Sequence, residues 1–183
     1  MVKQWEIELS LRFQLPCTLH YFDPVGLLGS MLRDPDVMQH FVYYPQEKFT
    51  TCGKRIYDET TSAEWFHSAF NESHASEDGK LKAGHLFVGI GLFSDGSAID
   101  KMQKHSEHPL LITMLNLSIE CRKKVEAWQL VSLLPDVEIS DLEKKSNISD
   151  LSKERLAQYH RSTGFLLEPF RDPNKCYELF VHG

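Results

Sequence analysis

The sequence predicts an α/β domain with the element order β-β-β-α-β, preceded by a loop-rich extension with short helices. Three apolar runs rich in β-branched and aromatic residues lie between residues 85 and 135, joined by connections of hairpin length or slightly longer. A segment with apolar residues at broadly helical spacing follows, and a last apolar run ends the chain. We therefore divide the chain into an irregular segment with short helices, residues 1–84, and a strand-rich domain, residues 85–183.

The extension offers few regular elements. A short helix is predicted over residues 25–32 and ends near Asp34-Pro35, because a residue before proline disfavours the helical region. Cys52-Gly53 predicts a turn, and "AEWFHSAF" predicts a helix capped by Thr61 or Ser62. The polar run "ESHASEDGKLKAG" is typical of a loop or a domain boundary.

The strand-rich domain begins with "LFVGIGLFS", which is short enough for a strand buried on both faces. "PLLITMLNLSIE" predicts a second strand that starts after Pro109, and "AWQLVSLLPDV" predicts a third that Pro135 ends. A helix follows, with Ser149 or Asp150 as its cap and Pro173 as its stop. "CYELFVHG" predicts a fourth strand.

Composition limits the function classes. The formal charge is −6, whereas a chain that binds a DNA backbone tightly by itself is usually basic. No apolar run reaches the roughly 18 residues of a membrane span, and the alternating start "MVKQWEIELSLRFQLP" lacks the apolar centre of a signal peptide. The four cysteines are dispersed, which fits reduced thiols in a nuclear or cytoplasmic protein that is not secreted.

Asp95-Gly96, directly after the first predicted strand, has two interpretations. Asp-Gly is a favoured hairpin corner, and a carboxylate at the end of a buried strand is also a good metal ligand. His105 and His108 in "KHSEHP" allow a metal pair, but a polar hairpin loop is the more common structure for such a run.

Several stretches occur in one order and resemble the catalytic region of Plavaka-type transposases, in the Kyakuja–Dileera–Zisupton superfamily of DDE transposases. The counterparts of that family's pattern are Arg33-Asp34-Pro35, Tyr57 with Trp65, Ser94-Asp95-Gly96-Ser97, Pro109, Asn116 with Arg122, Leu134-Pro135, and His160 with Leu166-Leu167-Glu168-Pro169. No single piece is specific, but their order across residues 25–172 is.

The resemblance implies a ribonuclease H-like fold whose opening has the predicted order β-β-β-α-β. It implies that Asp95 is the first catalytic carboxylate and a ligand of Mg²⁺ or Mn²⁺, and that DNA is the partner of the intact family. Sites of this type use three carboxylates to hold two cations about 3.5–4 Å apart, and magnesium prefers such hard oxygen ligands.

One departure of the sequence from the family concerns the catalytic acids. The second and third catalytic acids are expected beyond the fourth strand, and the chain ends at Gly183. We therefore expect residues 85–183 to be an incomplete catalytic domain, inactive alone and without a tightly bound metal, as in a truncated or domesticated transposase. Glu178 is the best second ligand in the chain, ahead of Asp100 and the acids around Asp172.

The alternative is a non-enzymatic scaffold or interaction module that keeps the same fold. It predicts an exposed apolar patch and possible self-association through an uncovered sheet edge. Arg122, Lys123 and Lys124 form the compact basic cluster, which is either a DNA-phosphate contact or a solvated loop. Asn116 and Arg122 are expected to have structural roles, and Trp65 and Trp128 to be packing residues.

Overall fold

The computed structural model describes residues 2–8, 16–75, 85–98, 106–134, 148–172 and 177. The chain forms two compact units that interleave in sequence. The first unit comprises Met1–Leu27, Leu92–Leu111 and Leu130–Pro173, and the second comprises Leu28–Gly91, Ile112–Gln129 and Asn174–Gly183. The predicted boundary near residue 84 lies outside the described residues and stays a prediction.

A six-stranded sheet has the strand order β1-β2-β8-β7-β5, with β6 also paired to β7. Its strands are β1 (Val2–Glu8), β2 (Pro16–Phe22), β5 (Ile90–Ser94), β6 (Ser97–Ala98), β7 (Ser106–Met114) and β8 (Gln129–Leu134). A separate antiparallel ribbon consists of β3 (Lys48–Phe49) and β4 (Arg55–Ile56), joined by a turn in which Gly53 has φ +79°.

The first two strands correct the prediction that residues 1–84 are irregular. β1 and β2 pair antiparallel, and β2 joins β8 where Tyr21 lies opposite Ser132. The Ser132 hydroxyl donates to the His20 carbonyl at 2.8 Å. The segment "CTLHY" alternates apolar and polar residues, so Leu19 is buried while Thr18 and His20 are exposed. This period-two pattern is the signal that the sequence interpretation missed.

The three strands predicted after residue 85 are all present, with changed limits. β8 ends before Pro135, as predicted. β7 starts at Ser106 and so includes most of "KHSEHP", which corrects its assignment to a loop; His105 lies outside the described residues. The strand predicted over "LFVGIGLFS" is limited to Ile90–Ser94.

The prediction that this first strand is buried on both faces is wrong. Leu92 is 42% exposed and Phe93 is 49% exposed. Leu92 and Phe93 are adjacent and so point to opposite faces of the strand, and neither face is fully covered at the end of the sheet that the described residues form.

The helices are α1 (Pro24–Leu32), α2 (Pro35–Met38), α3 (Glu64–Ala75), α4 (Ile119–Arg122) and α5 (Ile148–Leu166). The predicted helix over 25–32 is confirmed, and Asp34 caps α2 by accepting the Asp36 N–H at 2.9 Å. Two predicted caps are wrong. Thr61 and Ser62 lie in a 3₁₀ turn before α3, and Ser149 and Asp150 lie in the first turn of α5.

Two further differences concern strand and helix ends. The "NLSIE" end of the second predicted strand is a turn and α4, because the Ser118 side chain accepts the Cys121 N–H and caps that helix. α5 ends at Leu166, before Pro173, and a 3₁₀ turn follows at Glu168–Phe170. The predicted fourth strand, "CYELFVHG", lies outside the described residues except for Tyr177.

Each unit has its own buried side chains. The core of the first unit includes Leu19, Leu110, Val131, Leu134 and Leu166, and that of the second includes Met31, Leu32, Phe41, Phe66, Ile112, Met114 and Leu117. Thr113, which is fully buried in the second unit, donates to the Ala127 carbonyl at 2.6 Å and so leaves no unpaired hydroxyl. In the described part of the chain, no helix is both long and apolar enough to cross a membrane.

Candidate functional site

Asp95 lies between two strands that pair with the same neighbour. β6 pairs with β7 through Ser97 opposite Glu107, and the Leu115 N–H donates to the Gly89 carbonyl at 2.7 Å. Both contacts fit one antiparallel register, which places Asp95 opposite Pro109. Proline has no N–H to donate, so the ladder is interrupted at this residue pair.

This register shows whether Asp95-Gly96 forms the corner of a hairpin. Residues on both sides of Asp95-Gly96 pair with β7, through β5 before it and β6 after it. Asp95-Gly96 is therefore an interruption within an extended run and not the hairpin corner. The carboxylate is exposed at the end of β5, the position that the sequence predicted.

His108 covers the backbone next to Asp95. A Cβ atom built on Gly96 would lie 3.1 Å from His108 Cε1 and 3.5 Å from Nδ1. The missing side chain of Gly96 therefore makes room for the imidazole, which is partly buried. The sequence interpretation placed His108 in a loop and assigned no contact between it and the Asp95 segment.

The described residues do not complete a metal site. No group of three or more His, Cys, Asp or Glu side chains that could hold a metal ion occurs among them. A site for two divalent cations needs several carboxylate oxygens, so Asp95 alone does not fit it. Asp100 and Glu178 lie outside the described residues, and Asp172 is exposed.

Asn116 organises the polar centre of the second unit. Its Oδ1 accepts the Gly89 N–H at 2.8 Å, and its Nδ2 donates to the carbonyls of Val42 and Phe87, each at 3.0 Å. Asn116 is fully buried, so these bonds satisfy both ends of its amide away from water. They fix the segment that leads into β5.

The two glycines of "VGIG" allow this segment to approach β7 closely. A Cβ on Gly91 would lie 2.8 Å from Leu115 Cδ2 and 2.9 Å from Thr113 Cγ2. A Cβ on Gly89 would lie 3.2 Å from both the Leu115 Cβ and the Phe66 ring. Glycine in a strand often marks such an approach, and this was the available sequence signal.

Comparison with known protein families shows which family the chain belongs to. The family model of the Plavaka transposases matches residues 7–181 of the 183-residue chain. The chain belongs to the Plavaka transposase family. No curated protein and no solved structure matches it.

Arg122, a position of the Plavaka pattern, has the structural role that the sequence interpretation expected. Its Nη2 lies 3.3 Å from Glu59 Oε2, and its Nε donates to the Leu117 carbonyl at 3.0 Å. The Glu59 carboxylate also accepts the Ile119 N–H at 2.9 Å and 3.0 Å. Both side chains of the ion pair are less than one fifth exposed, at 18% and 16%. Arg122 thus joins the segment after β4 to the start of α4.

The rest of the basic cluster is at the surface. Lys123 Nζ lies 2.9 Å from Glu120 Oε1, with side chains 64% and 75% exposed, and Lys124 is exposed. The prediction that Arg122, Lys123 and Lys124 contact DNA stays a prediction. Its geometry favours the two lysines, because the Arg122 guanidinium is already held by Glu59 and Leu117.

The two predicted packing tryptophans differ. Trp128 is partly buried, and its indole N–H donates to the Arg122 carbonyl at 2.7 Å. Trp65 is 53% exposed and packs edge to face on its fully buried neighbour Phe66, with the ring centres 5.6 Å apart. Tyr57, the other half of the "Y...tW" element of the Plavaka pattern, is 57% exposed. A helix turns by about 100° per residue, so consecutive aromatic residues cannot both face the core.

Proposed function

We propose that this Plavaka family member is part of a DDE-type DNA transposase, in which Asp95 is the first carboxylate of a two-metal site for DNA cleavage and strand joining. The observation that carries the proposal is the position of Asp95. It is exposed at the end of β5, in a break of the ladder opposite Pro109. A ligand on a strand end is held by the backbone of the sheet, and phosphoryl transfer depends mainly on such positioning.

The order of elements supports a ribonuclease H-like fold. β5, β7 and β8 lie side by side in the sheet, and the long helix α5 follows them in sequence. Such a fold begins with three antiparallel strands and a crossover helix. Mg²⁺ or Mn²⁺ is the cofactor class that the proposal implies, because carboxylate oxygens suit hard divalent cations. The proposal implies DNA as the substrate. It also implies a protein of the nucleus or the cytoplasm.

The proposal needs two further carboxylates besides Asp95, and no cluster of three His, Cys, Asp or Glu side chains occurs among the described residues. The experiment therefore extends the reading frame past the codon for Gly183 and expresses the longer product. That product should nick and join DNA carrying the ends of the element only when Mg²⁺ or Mn²⁺ is added. Asp95→Asn should abolish the activity, whereas Glu72→Gln, at an exposed acid on α3, should leave it near the unmodified level.

Retained cleavage in the Asp95→Asn protein would overturn the assignment of Asp95. A frame that ends at Gly183, with no aspartate and glutamate beyond it, would overturn the proposal of a working enzyme. In that case the chain would be a domesticated or truncated relic.

One observation favours a second candidate, a non-enzymatic interaction module. Leu92 and Phe93 are 42% and 49% exposed on β5, the terminal strand of the described sheet. Exposed apolar side chains on a terminal strand favour pairing with another chain. Sedimentation velocity should show self-association that Phe93→Lys reduces, while Leu156→Lys, at an equally exposed position on α5, does not. A monomer at all concentrations would contradict this candidate.

A further inference from the structure

Asp95 lies opposite a residue that cannot donate a ladder hydrogen bond to it. The Leu115 N–H donates to the Gly89 carbonyl at 2.7 Å, so these two residues form a hydrogen-bonded pair. Bonded and non-bonded pairs alternate along an antiparallel ladder, and the register makes Asp95 and Pro109 a pair of the bonded class. Because proline has no N–H, the Asp95 carbonyl receives no hydrogen bond from Pro109.

The next pair, Gly96 with His108, is of the non-bonded class. In this class the two Cα atoms approach to about 4.5 Å, and side chains of opposed residues lie on the same face. The structure agrees with this placement, because a Cβ atom built on Gly96 would lie 3.1 Å from His108 Cε1, 3.5 Å from Nδ1 and 3.9 Å from Nε2. The Cε1 edge of the imidazole is therefore the part of the ring nearest to the Gly96 backbone.

The glycine at position 96 is explained by space and not by backbone conformation. Gly53, in the turn between β3 and β4, has φ +79°, which favours glycine, whereas Gly96 has no positive φ of this kind. A methyl group on Gly96 would require the imidazole of His108 to move. Glycine in a strand often marks such a close approach, so the missing side chain at Gly96 serves the contact with the ring.

The imidazole contacts this backbone from the face opposite to the Asp95 carboxylate. Successive residues of an extended strand point to opposite faces, so Asp95 lies on one face and the pair of Gly96 and His108 on the other. His108 is partly buried and shares its face with Leu110, which is 1% exposed, whereas Asp95 is exposed. The ring is thus held on the covered side of the strand, behind the exposed acid.

We propose that His108 is a positioning residue for Asp95. Its ring holds the Asp95-Gly96 backbone against β7, in place of the ladder hydrogen bond that Pro109 cannot donate. The inference rests on the proposed function for its consequence, because a carboxylate that takes part in phosphoryl transfer has to be held in position. The ring acts through its shape and packing, so a phenylalanine ring should replace it.

The first experiment uses residues 1–183 and needs no enzymatic activity. Amide hydrogen exchange, measured by NMR at Asp95 and Ser97, reports how firmly the chain on both sides of Gly96 is paired with β7. His108→Ala should accelerate exchange at both amides by about 5- to 10-fold, the effect expected for the loss of one packing contact. His108→Phe, which keeps a planar ring, should leave both rates near those of the unmodified chain.

Two controls distinguish a local effect from a loss of the fold. His74→Ala removes another histidine ring contact, in which the ring centre lies 4.0 Å from that of Phe70, and should leave exchange at the two amides unchanged. The Leu115 amide, in the same ladder, should exchange at one rate in all variants. Unchanged exchange in His108→Ala would overturn the inference, and so would an equal acceleration in His108→Phe or at Leu115.

The second experiment measures DNA cleavage by the longer product that continues past Gly183. His108→Ala should lower the rate at saturating DNA by about 10-fold with an unchanged KM, because a displaced carboxylate affects the chemical step more than substrate binding, and His108→Phe should restore the rate. An active enzyme whose rate is the same with His108→Ala would overturn the inference. An unmodified product without activity would contradict the proposed function alone, and hydrogen exchange would decide whether His108 holds the Asp95 backbone.

Discussion

The polar centre at Asn116 and the strand end at Asp95 are both positions of the Plavaka pattern, yet their surroundings are opposite. Asn116 is fully buried and its amide makes three hydrogen bonds to backbone groups of two other segments, at Val42 and at Phe87 to Gly89. Asp95 is exposed, and the pairing of β6 with β7 fixes the chain beside it. A residue of the family pattern can therefore stabilise the fold or be available for binding. A buried side chain with hydrogen bonds to the backbone belongs to the first kind, and an exposed side chain can belong to the second.

The largest expected difference in the free energy of unfolding is between Asn116→Ala and Asp95→Asn. Asn116→Ala leaves the Gly89 N–H and the Val42 and Phe87 carbonyls without their partner, so we expect the free energy of unfolding to fall by about 3–5 kcal/mol. Asp95→Asn changes an exposed side chain and should shift it by no more than about 0.5 kcal/mol. Urea unfolding measures both. Equal losses would contradict the distinction between the two positions.

The next test concerns how closely the backbone of β5 approaches β7. Gly91→Ala places a methyl group within 2.9 Å of Leu115 and Thr113 side-chain atoms, and we expect a destabilisation of about 1–3 kcal/mol. Gly164, inside α5, has nothing within 4 Å of its built Cβ, so Gly164→Ala should stabilise by about 0.5–1 kcal/mol. Thermal unfolding of the two variants should move in opposite directions. A stabilising Gly91→Ala would show that β5 and β7 lie farther apart than described.

The elements of the fold that depend on local sequence patterns could be predicted, whereas strand pairing between distant segments could not. β7, β8, α1 and α5 follow from local periodicity, and the position of Asp95 at a strand end follows from one apolar run. β2 pairs locally with β1 and also with β8, which is more than a hundred residues away. The alternating pattern of "CTLHY" was present in the sequence, but its pairing with β8 depends on tertiary structure.

The candidate site was predictable to a similar degree. The strand-end position of Asp95 was predicted from its neighbours in sequence, whereas the facing residues Pro109 and His108 come from β7. The exposure of Trp65 also depends on tertiary structure, because Trp65 and Phe66 are both aromatic and adjacent, and only packing places one outside. Local patterns predict elements, whereas register and packing decide what a side chain contacts.

A smaller effect is expected at the basic cluster of Arg122, Lys123 and Lys124. Arg122 should determine stability, whereas the two lysines should affect only the affinity for DNA. Arg122→Met leaves Glu59 without its cation at a poorly exposed position, so we expect a loss of stability of about 1–3 kcal/mol. The Lys123→Ala/Lys124→Ala double variant should unfold like the unmodified chain. If the lysines contact phosphates, the slope of log affinity for DNA against log salt should become shallower by at most about two. An unchanged slope would leave the lysines as solvated surface groups.

The smallest expected effect is at the ribbon, where Lys48 Nζ lies 2.8 Å from Asp58 Oδ2 with both side chains largely exposed. The hydrogen bond from Lys48 lowers the pKa of the Asp58 carboxyl below its ordinary value of 3.8. Because the folded pKa is lowered, the pair stabilises the ribbon above the ordinary carboxyl pKa and this contribution disappears as pH falls through the lowered value.

Lys48→Met should therefore raise the pKa of Asp58 back towards 3.8, which carboxyl-carbon NMR titration measures directly. Lys54→Met, at the nearby turn, is the matched control and should leave the Asp58 titration in place. If Lys48→Met left the pKa of Asp58 unchanged, the Lys48–Asp58 ion pair would not form in solution.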